Sequence, residues 1–362
     1  MEGETNKLNN PIGIKLHEKK NIAGHPLVPP SIYDKKLLLH SEINSKDLEK
    51  YEKNGFLGVY YWSHAFIALD WYRFAKHDKL LQFLPKKNFD NDFNIYCRAW
   101  SGSREYRLKF LELLKINDID KMSSIFFNQY CDKKHYSEYK LKEKKWQFNK
   151  ININNLNNVT SRNIDSSSSA TYDVEDYKNS AIDVVLETIF DEKKVQLTEK
   201  ILRPIACGKP FILVSEKDSL QYLKSYGFKT FENLIDESYD SIEDPMDRLH
   251  SVIKTMKSIS NLNRQEKNNL FLKMHEIAQF NKKWFFSEKF FNIIDQELVR
   301  NLSEKIYLLN KPENQTAKEP RLIYRAYRRY RKYFSNHAKS LADDIVLEYP
   351  ERIELSKKNI KS

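Results

Sequence analysis

The sequence predicts an α/β protein with two Rossmann-like domains and a helical C-terminal extension. Its 362 residues are enough for two domains of roughly 100 to 200 residues each. Short apolar runs alternate with amphipathic segments of helix length in both halves of the chain, which is typical of α/β folds. Residues 149–170 separate the halves and predict a linker, because this polar, asparagine- and serine-rich segment cannot bury enough apolar surface to offset its ordering entropy.

The first Rossmann-like domain is predicted over residues 36–148, after an N-terminal extension of residues 1–35. Apolar runs predict its strands, and capping residues followed by helical periodicity predict the helices between them. The strands are expected at residues 37–39, 59–62 and 94–100, and the helices at 45–51, 63–75 and 104–114. A strand followed by a helix, three times over, is the order that such a domain requires.

The second Rossmann-like domain is predicted over residues 171–310, where the alternation is clearer. Strands are expected at residues 182–186, 211–214 and 228–231, and long helices at 246–260, 264–280 and 285–310. Between the strands, Thr198 can cap a helix that ends at Gly208, and a second helix ends at Gly227. Connections of this length predict parallel neighbouring strands joined by right-handed crossovers.

Residues 311–362 predict a basic helical tail. Between Arg321 and Phe334, six arginines and lysines alternate with four tyrosines. Three interpretations stay open for this helix: peripheral contact with an anionic membrane surface, binding of nucleic acid phosphates with tyrosine stacking, or packing on the domain with the arginines solvated or paired.

Composition points to a basic protein of a reducing compartment. The net charge is +11, and the three cysteines, Cys97, Cys131 and Cys207, are far apart and show no CxxC spacing. We find neither a signal-peptide pattern nor a run of about 18 uncharged apolar residues. We therefore expect a cytoplasmic protein, whose tail could hold it at the inner face of the membrane.

The most informative segment is Thr198, Glu199 and Lys200. An N-cap threonine after a strand places unpaired backbone N–H groups and the positive end of a helix dipole at the carboxyl end of a sheet, where phosphates bind in open α/β folds. Lys200 adds a positive charge, and Glu199 suits the dipole or could bind ribose or sugar hydroxyls. The alternative is that all three residues are an ordinary helix start with a solvated lysine.

The context of this triplet resembles the donor-binding half of GT-B glycosyltransferases, and most nearly the alpha-1,3-fucosyltransferase family. Glu187 ends a strand at the place of that family's Phe-Glu-Asn-Ser patch, with Thr188 and Ile189 replacing its Asn and Ser. The Thr-Glu-Lys triplet is intact, and a small-residue helix end and a Pro-Phe-Ile strand follow, so the resemblance covers residues 182–214. It implies that Glu187 and the triplet hold the ribose and phosphates of a nucleotide-sugar.

Two further segments, residues 39–42 and 61–64, resemble an uncharacterised phage-type family. That resemblance implies no function.

A second anion site is predicted in the first domain. Arg98 ends a strand, the Ser-Gly-Ser turn at 101–103 follows, and Arg104 and Arg107 project from the next helix. Arginine forks suit phosphates and carboxylates, so Arg98 and Arg104 are candidate ligands of the donor diphosphate. The alternative, favoured for Arg107, is a structural arginine.

Sugar transfer with inversion needs a base near the acceptor hydroxyl, which GT-B enzymes place in the amino-terminal domain. Glu42, after the first strand, is the first candidate, and His64 and Asp70 on the following helix come next. For each residue the alternative is a helix cap, a paired acid or a core histidine.

We therefore predict a glycosyltransferase of hexosyl or fucosyl type, with a glycan or lipid-linked acceptor. The sequence shows no metal-ligand cluster, so Lys200 with Arg98 or Arg104 is expected to neutralise the leaving diphosphate without a metal or other cofactor. Two alternatives stay open: a nucleic-acid-binding accessory protein that uses the Arg/Tyr helix, and a catalytically inactive GT-B-like recognition protein.

Overall fold

The computed structural model describes residues 37–53, 56–74, 88–160 and 170–309. These residues form an α/β protein whose strands are mostly parallel, which confirms the predicted fold class at that level. The predicted N-terminal extension, residues 1–35, and the predicted tail, residues 311–362, lie outside the described residues. Within the described helices, none has both the length and the apolar character needed to cross a membrane.

The described elements follow one another as nine strands and ten α-helices, joined by short 3-10 turns. The strands are β1 (Leu37–His40), β2 (Leu57–Tyr60), β3 (Asn91–Cys97), β4 (Ser123–Phe127), β5 (Tyr130–Cys131), β6 (Lys134–His135), β7 (Val159–Thr160), β8 (Ser180–Leu186) and β9 (Phe211–Val214). The helices are α1 (Lys46–Lys53), α2 (Ser63–Phe74), α3 (Tyr106–Ile116), α4 (Lys150–Asn154), α5 (Val174–Asn179), α6 (Glu199–Cys207), α7 (Ser219–Ser225), α8 (Pro245–Ser260), α9 (Arg264–Phe285) and α10 (Glu288–Leu309).

The chain divides into two compact units. The first joins Met1–Lys76 with Glu288–Ser362, and the second is His77–Ser287. In the first unit β1 and β2 pair in parallel, with Leu37 opposite Leu57. Their apolar side chains pack with α10 in a core cluster that contains Leu37, Val59, Tyr61 and Leu298.

The second unit is built on a five-stranded parallel sheet in the order β7-β4-β3-β8-β9. Numbered along the chain within this sheet, the order is 3-2-1-4-5, which is the doubly wound order of Rossmann-like folds. From β3 the chain runs through α3 to the neighbouring strand β4, towards one edge of the sheet. From β8 it runs through α6 to the neighbouring strand β9, towards the other edge. Right-handed crossovers in opposite directions place α3 and α6 on opposite faces of the sheet.

The predicted linker at residues 149–170 does not separate two sheets. The five-stranded sheet takes β3, β4 and β7 from one side of residues 161–169, which lie outside the described residues, and β8 and β9 from the other. α4 and β7 lie inside the predicted linker. Asn149 caps α4 by accepting from the Ile151 N–H, and Ile153 of this helix is buried. The predicted first domain is divided as well, since β1 and β2 form a sheet of their own.

The strand predicted at residues 228–231 is also wrong. Phe228 and Phe231 are buried, as the apolar pattern indicated, but their backbone is irregular. The side chain of Asn281 takes the place of a neighbouring strand, because its Oδ1 accepts from the Lys229 N–H at 2.8 Å and its Nδ2 donates to the Lys229 carbonyl at 2.8 Å.

The helix that starts at Thr198 ends as predicted at Gly208. Gly208 has φ +70°, a left-handed conformation that favours glycine, and a Cβ there would overlap Nε2 of Gln279 on α9. The helix includes Pro204 in its interior, and seven of its residues are buried. These contacts fix α6 firmly against the sheet, and so fix the position of its first turn.

Candidate functional site

The topological switch point of the second unit lies between β3 and β8, and it is where doubly wound folds bind their ligands. All six residues predicted to bind the nucleotide-sugar follow the carboxyl ends of these two strands. Arg98 and Arg104 come after β3, Glu187 comes directly after β8, and Thr198, Glu199 and Lys200 begin α6. The candidate site is therefore this edge of the sheet.

Glu187 fixes the loop between β8 and α6. Its side chain is fully buried, and its Oε1 accepts from the Thr198 N–H at 3.0 Å. Its Oε2 accepts from Thr198 Oγ1 at 2.7 Å and from the Thr188 N–H at 3.1 Å. These contacts give Glu187 a positioning role, because the carboxylate is occupied by the protein's own groups.

Lys200 places an ammonium group in the first turn of α6. Its Nζ donates to Thr188 Oγ1 and to Thr198 Oγ1, both at 3.2 Å, and lies 3.1 Å from Glu199 Oε1. The Lys200 side chain is 17% exposed. Two of its three partners are neutral hydroxyls, which phosphate oxygens can replace at the same helix N-terminus. We call Glu187, Thr188, Thr198, Glu199 and Lys200 the α6 cluster.

Tyr106 and Arg107, at the start of α3, bind backbone carbonyl groups at the ends of the two strands that form the switch point. Arg107 donates to the Ala99 carbonyl and to the Leu186 carbonyl, both at 2.6 Å, and so ties the ends of β3 and β8 together. Tyr106 Oη donates to the Glu187 carbonyl at 2.6 Å. Burial raises the pKa of Tyr106 to about 12, which keeps this hydroxyl protonated. The structural interpretation of Arg107 is therefore correct.

Arg98 is buried at the end of β3. Its Nη2 donates to the Thr171 carbonyl at 2.8 Å, and its guanidinium carbon lies 4.7 Å from the centre of the Tyr96 ring. Burial lowers the pKa of Arg98, and the nearby charge of Arg203 lowers it further. These contacts hold Arg98 beside the segment that leads into α5.

The Arg104 side chain is more available to a ligand than the Arg98 side chain is. It ends the 3-10 turn Gly102–Arg104, and its side chain makes no hydrogen bond or ion pair with any other described residue. Burial lowers its pKa, as does the positive charge of Arg107. Gly102 begins this turn with φ +64°. An anion at this edge of the sheet would give Arg104 a partner.

The structure thus brings four of the six predicted residues together. Glu187, Thr198, Glu199 and Lys200 form one hydrogen-bonded group. The two arginines share the edge of the sheet with this group.

The three candidates for the catalytic base lie in the first unit. Glu42 and His64 are buried, and Asp70 is half-buried on α2. His64 and Asp70 are six positions apart, about 1.7 helical turns, so their side chains leave α2 in different directions. Burial lowers the pKa of the neighbouring His40 to about 4, and its Nδ1 lies 3.0 Å from the Glu42 carbonyl oxygen.

Sequence reasoning missed a charged network inside the second unit. Asp183 on β8 accepts from Asn94 Nδ2 on β3 at 2.8 Å, from Tyr177 Oη at 2.7 Å and from Arg203 Nη2 at 3.0 Å. Asp183 is the charged residue in an apolar run, residues 181–186, and this signal could have identified it. Every carboxylate contact here is internal, so we assign the network to the stability of the sheet.

Among the residues that the structure describes, no group of three or more His, Cys, Asp or Glu side chains could hold a metal ion. All three cysteines are free thiols. Comparisons of the chain with protein-family models, with curated proteins and with solved structures found no match.

Proposed function

We propose that the chain is a metal-independent glycosyltransferase that moves a sugar from a nucleotide-sugar donor to a glycan or lipid-linked acceptor. The observation that carries the proposal is the α6 cluster, in which the Lys200 ammonium lies at the first turn of α6 beside the switch point of the sheet. A diphosphate is the ligand that a helix N-terminus with an added cation suits best.

The proposed chemistry is stabilisation of the leaving group. As the bond from the sugar to the diphosphate breaks, negative charge grows on the diphosphate oxygens, and Lys200 exchanges its hydroxyl partners for them. Arg104, whose side chain has no hydrogen-bond or ion-pair partner among the described residues, supplies a second positive charge from the 3-10 turn after β3. Glu187 and Thr198 hold the first turn of α6 in place, and Glu199 is assigned to the ribose or sugar hydroxyls.

The acceptor side rests on the resemblance to GT-B enzymes. In that scheme a second Rossmann-like domain carries the base, which we assign to Glu42, with His64 and Asp70 as the other candidates. Because Glu42 and His64 are buried in the structure, deprotonation of an acceptor would require them to become accessible. The GT-B arrangement of two domains is part of the proposal, and the experiment below tests its donor half alone.

The test is nucleotide binding by the full chain with two matched variants. Lys200→Ala removes the proposed phosphate contact. Lys178→Ala removes a lysine that pairs with Glu175 at 2.8 Å, much as Lys200 pairs with Glu199, but lies just before β8, at the opposite edge of the sheet. Thermal shift and calorimetry with nucleoside diphosphates and their sugars should show binding to the wild type. Lys200→Ala should weaken it about 10- to 100-fold, and Lys178→Ala should not.

The other outcomes are informative. If no nucleotide binds to the folded protein, or if both lysine variants bind as tightly as the wild type, the proposal fails. If binding depends on Lys200 but no acceptor in a glycan panel receives sugar, the chain is the inactive recognition protein rather than an enzyme.

A further inference from the structure

A lysine-rich surface crosses the second unit between β4 and α4. Residues 130–150 contain seven lysines and only three acidic residues, against a net charge of +11 for the whole chain. All seven lysines are exposed, and one of them, Lys145, pairs with Asp191. The other six make no ion pair with any described residue, and we use the name lysine surface for the five of them that precede Lys145: Lys133, Lys134, Lys140, Lys142 and Lys144.

The two parts of the lysine surface are anchored side by side. Ser101 Oγ donates to Asp132 Oδ2 at 2.6 Å, which holds the β5–β6 hairpin that carries Lys133 and Lys134. The Glu105 carboxylate accepts from the Lys142 N–H at 2.9 Å, which holds the second part. Ser101 and Glu105 are four residues apart in a 3-10 turn, and thus about 8 Å apart. Lys142 is anchored by its backbone, so its ammonium group is left for a ligand.

An aromatic ring lies next to these charges. The Tyr130 side chain is 58% exposed, and its ring meets that of His135 edge to face at 5.1 Å. Tyr130 and His135 are opposite residues of the hairpin, whose turn residues Asp132 and Lys133 both have positive φ. This turn geometry joins the strands tightly and places Lys133 at the tip, three residues after Tyr130.

We propose that the lysine surface binds single-stranded nucleic acid, with Tyr130 as a stacking platform for a base. Exposed, unpaired lysines attract the phosphates of any nucleic acid backbone, and an exposed aromatic ring stacks on an unpaired base of any sequence. The ring favours nucleic acid over a polyanion that offers charge alone, because every base has an aromatic face that stacks on a tyrosine. This function is independent of the glycosyltransferase proposal and uses none of its residues.

The test measures fluorescence anisotropy of labelled dT20 with the full chain between 50 and 200 mM salt. One variant combines Lys140→Gln, Lys142→Gln and Lys144→Gln. Its control combines Lys254→Gln, Lys273→Gln and Lys283→Gln, three exposed lysines on α8 and α9 that change the net charge equally. We expect the first variant to reduce the slope of log K against log salt by about 2, since each phosphate contact contributes about 0.7. The control should leave the slope close to that of the wild type.

Tyr130→Ala tests the aromatic part, with Tyr307→Ala as its control because Tyr307 is 70% exposed on α10. Tyr130→Ala should weaken dT20 binding about tenfold, and Tyr307→Ala should not. Circular dichroism verifies that each variant is folded.

Equal losses from the two lysine triples would reduce the effect to net charge and overturn the proposal. The proposal would also be overturned if dT20 did not bind. It would be overturned as well if heparin bound as tightly as dT20 and Tyr130→Ala had no effect. Nucleotide binding through Lys200 is measured separately, so either proposal can fail alone.

Discussion

Burial changes the acidity of single side chains in the second unit, and Glu237 shows this most clearly. Burial raises the pKa of Glu237 to about 7, and the hydrogen bond that its carboxylate accepts from the Phe231 N–H only partly offsets this rise. The folded state therefore binds a proton more tightly than the unfolded state does. This contribution to stability is complete below pH 4.5 and is lost as the pH rises through 7.

Glu237→Gln should consequently stabilise the protein at alkaline pH. Glutamine cannot ionise, and its oxygen can still accept from the Phe231 N–H, which lies 2.9 Å from Glu237 Oε1. Relative to the wild type, we expect a gain of about 2 kcal/mol in the free energy of unfolding at pH 8, after discounting for partial exposure, and a smaller gain at pH 5. Urea unfolding at the two pH values measures it. The control is Glu243→Gln, which removes an exposed ion pair with Lys217 and should give no gain at pH 8.

At the same scale, sequence reasoning located residues better than it assigned their contacts. Position after a strand was enough to place Arg98, Glu187 and Lys200 at one edge of a sheet. It could not show that Glu187 would be fully buried against Thr198, or that Arg98 would face Thr171 and Tyr96. Those contacts depend on the path of loops whose sequences carry no periodic signal.

At the scale of the element, the start of α6 depends on one hydroxyl group. Thr198 Oγ1 accepts from the Lys200 N–H and donates to the buried Glu187 carboxylate. Thr198→Ala should lower the free energy of unfolding by about 2 to 3 kcal/mol, since it removes the helix cap and one hydrogen bond to a buried charge. Thr198→Ser keeps both contacts and should recover most of the loss. Chemical denaturation of the two variants makes the comparison, and equal losses would show that the methyl group matters instead.

Elements with several agreeing signals were predicted best. The strand predicted at residues 211–214 matches β9, and the helix from Thr198 to Gly208 matches α6, because apolar runs, a cap and a left-handed glycine coincide there. The irregular segment at residues 228–231 has an apolar pattern too, but its hydrogen-bond partner is Asn281, some fifty residues away. A local pattern cannot reveal a partner so far along the chain.

At the scale of the whole molecule, strand order was the information that the sequence lacked. The apolar runs predict most strands, but not that β8 would return to pair with β3 across an intervening polar segment. A buried polar contact joins the two strands, because Asn94 Nδ2 on β3 donates to Asp183 Oδ1 on β8 at 2.8 Å. The division into units followed from that pairing rather than from composition.

The last prediction concerns the second unit on its own. Residues 77–287 contain all five strands of the parallel sheet and all six residues assigned to the nucleotide-sugar, whereas Glu42, His64 and Asp70 belong to the first unit. We therefore expect this fragment to unfold cooperatively, to bind a nucleoside diphosphate within about twofold of the full chain, and to transfer no sugar. Circular dichroism and calorimetry test the first two points, and an assay with the full chain as reference tests the third. A folded fragment with no nucleotide affinity would move the donor site out of this unit, and a fragment that transfers sugar would remove Glu42, His64 and Asp70 as the base.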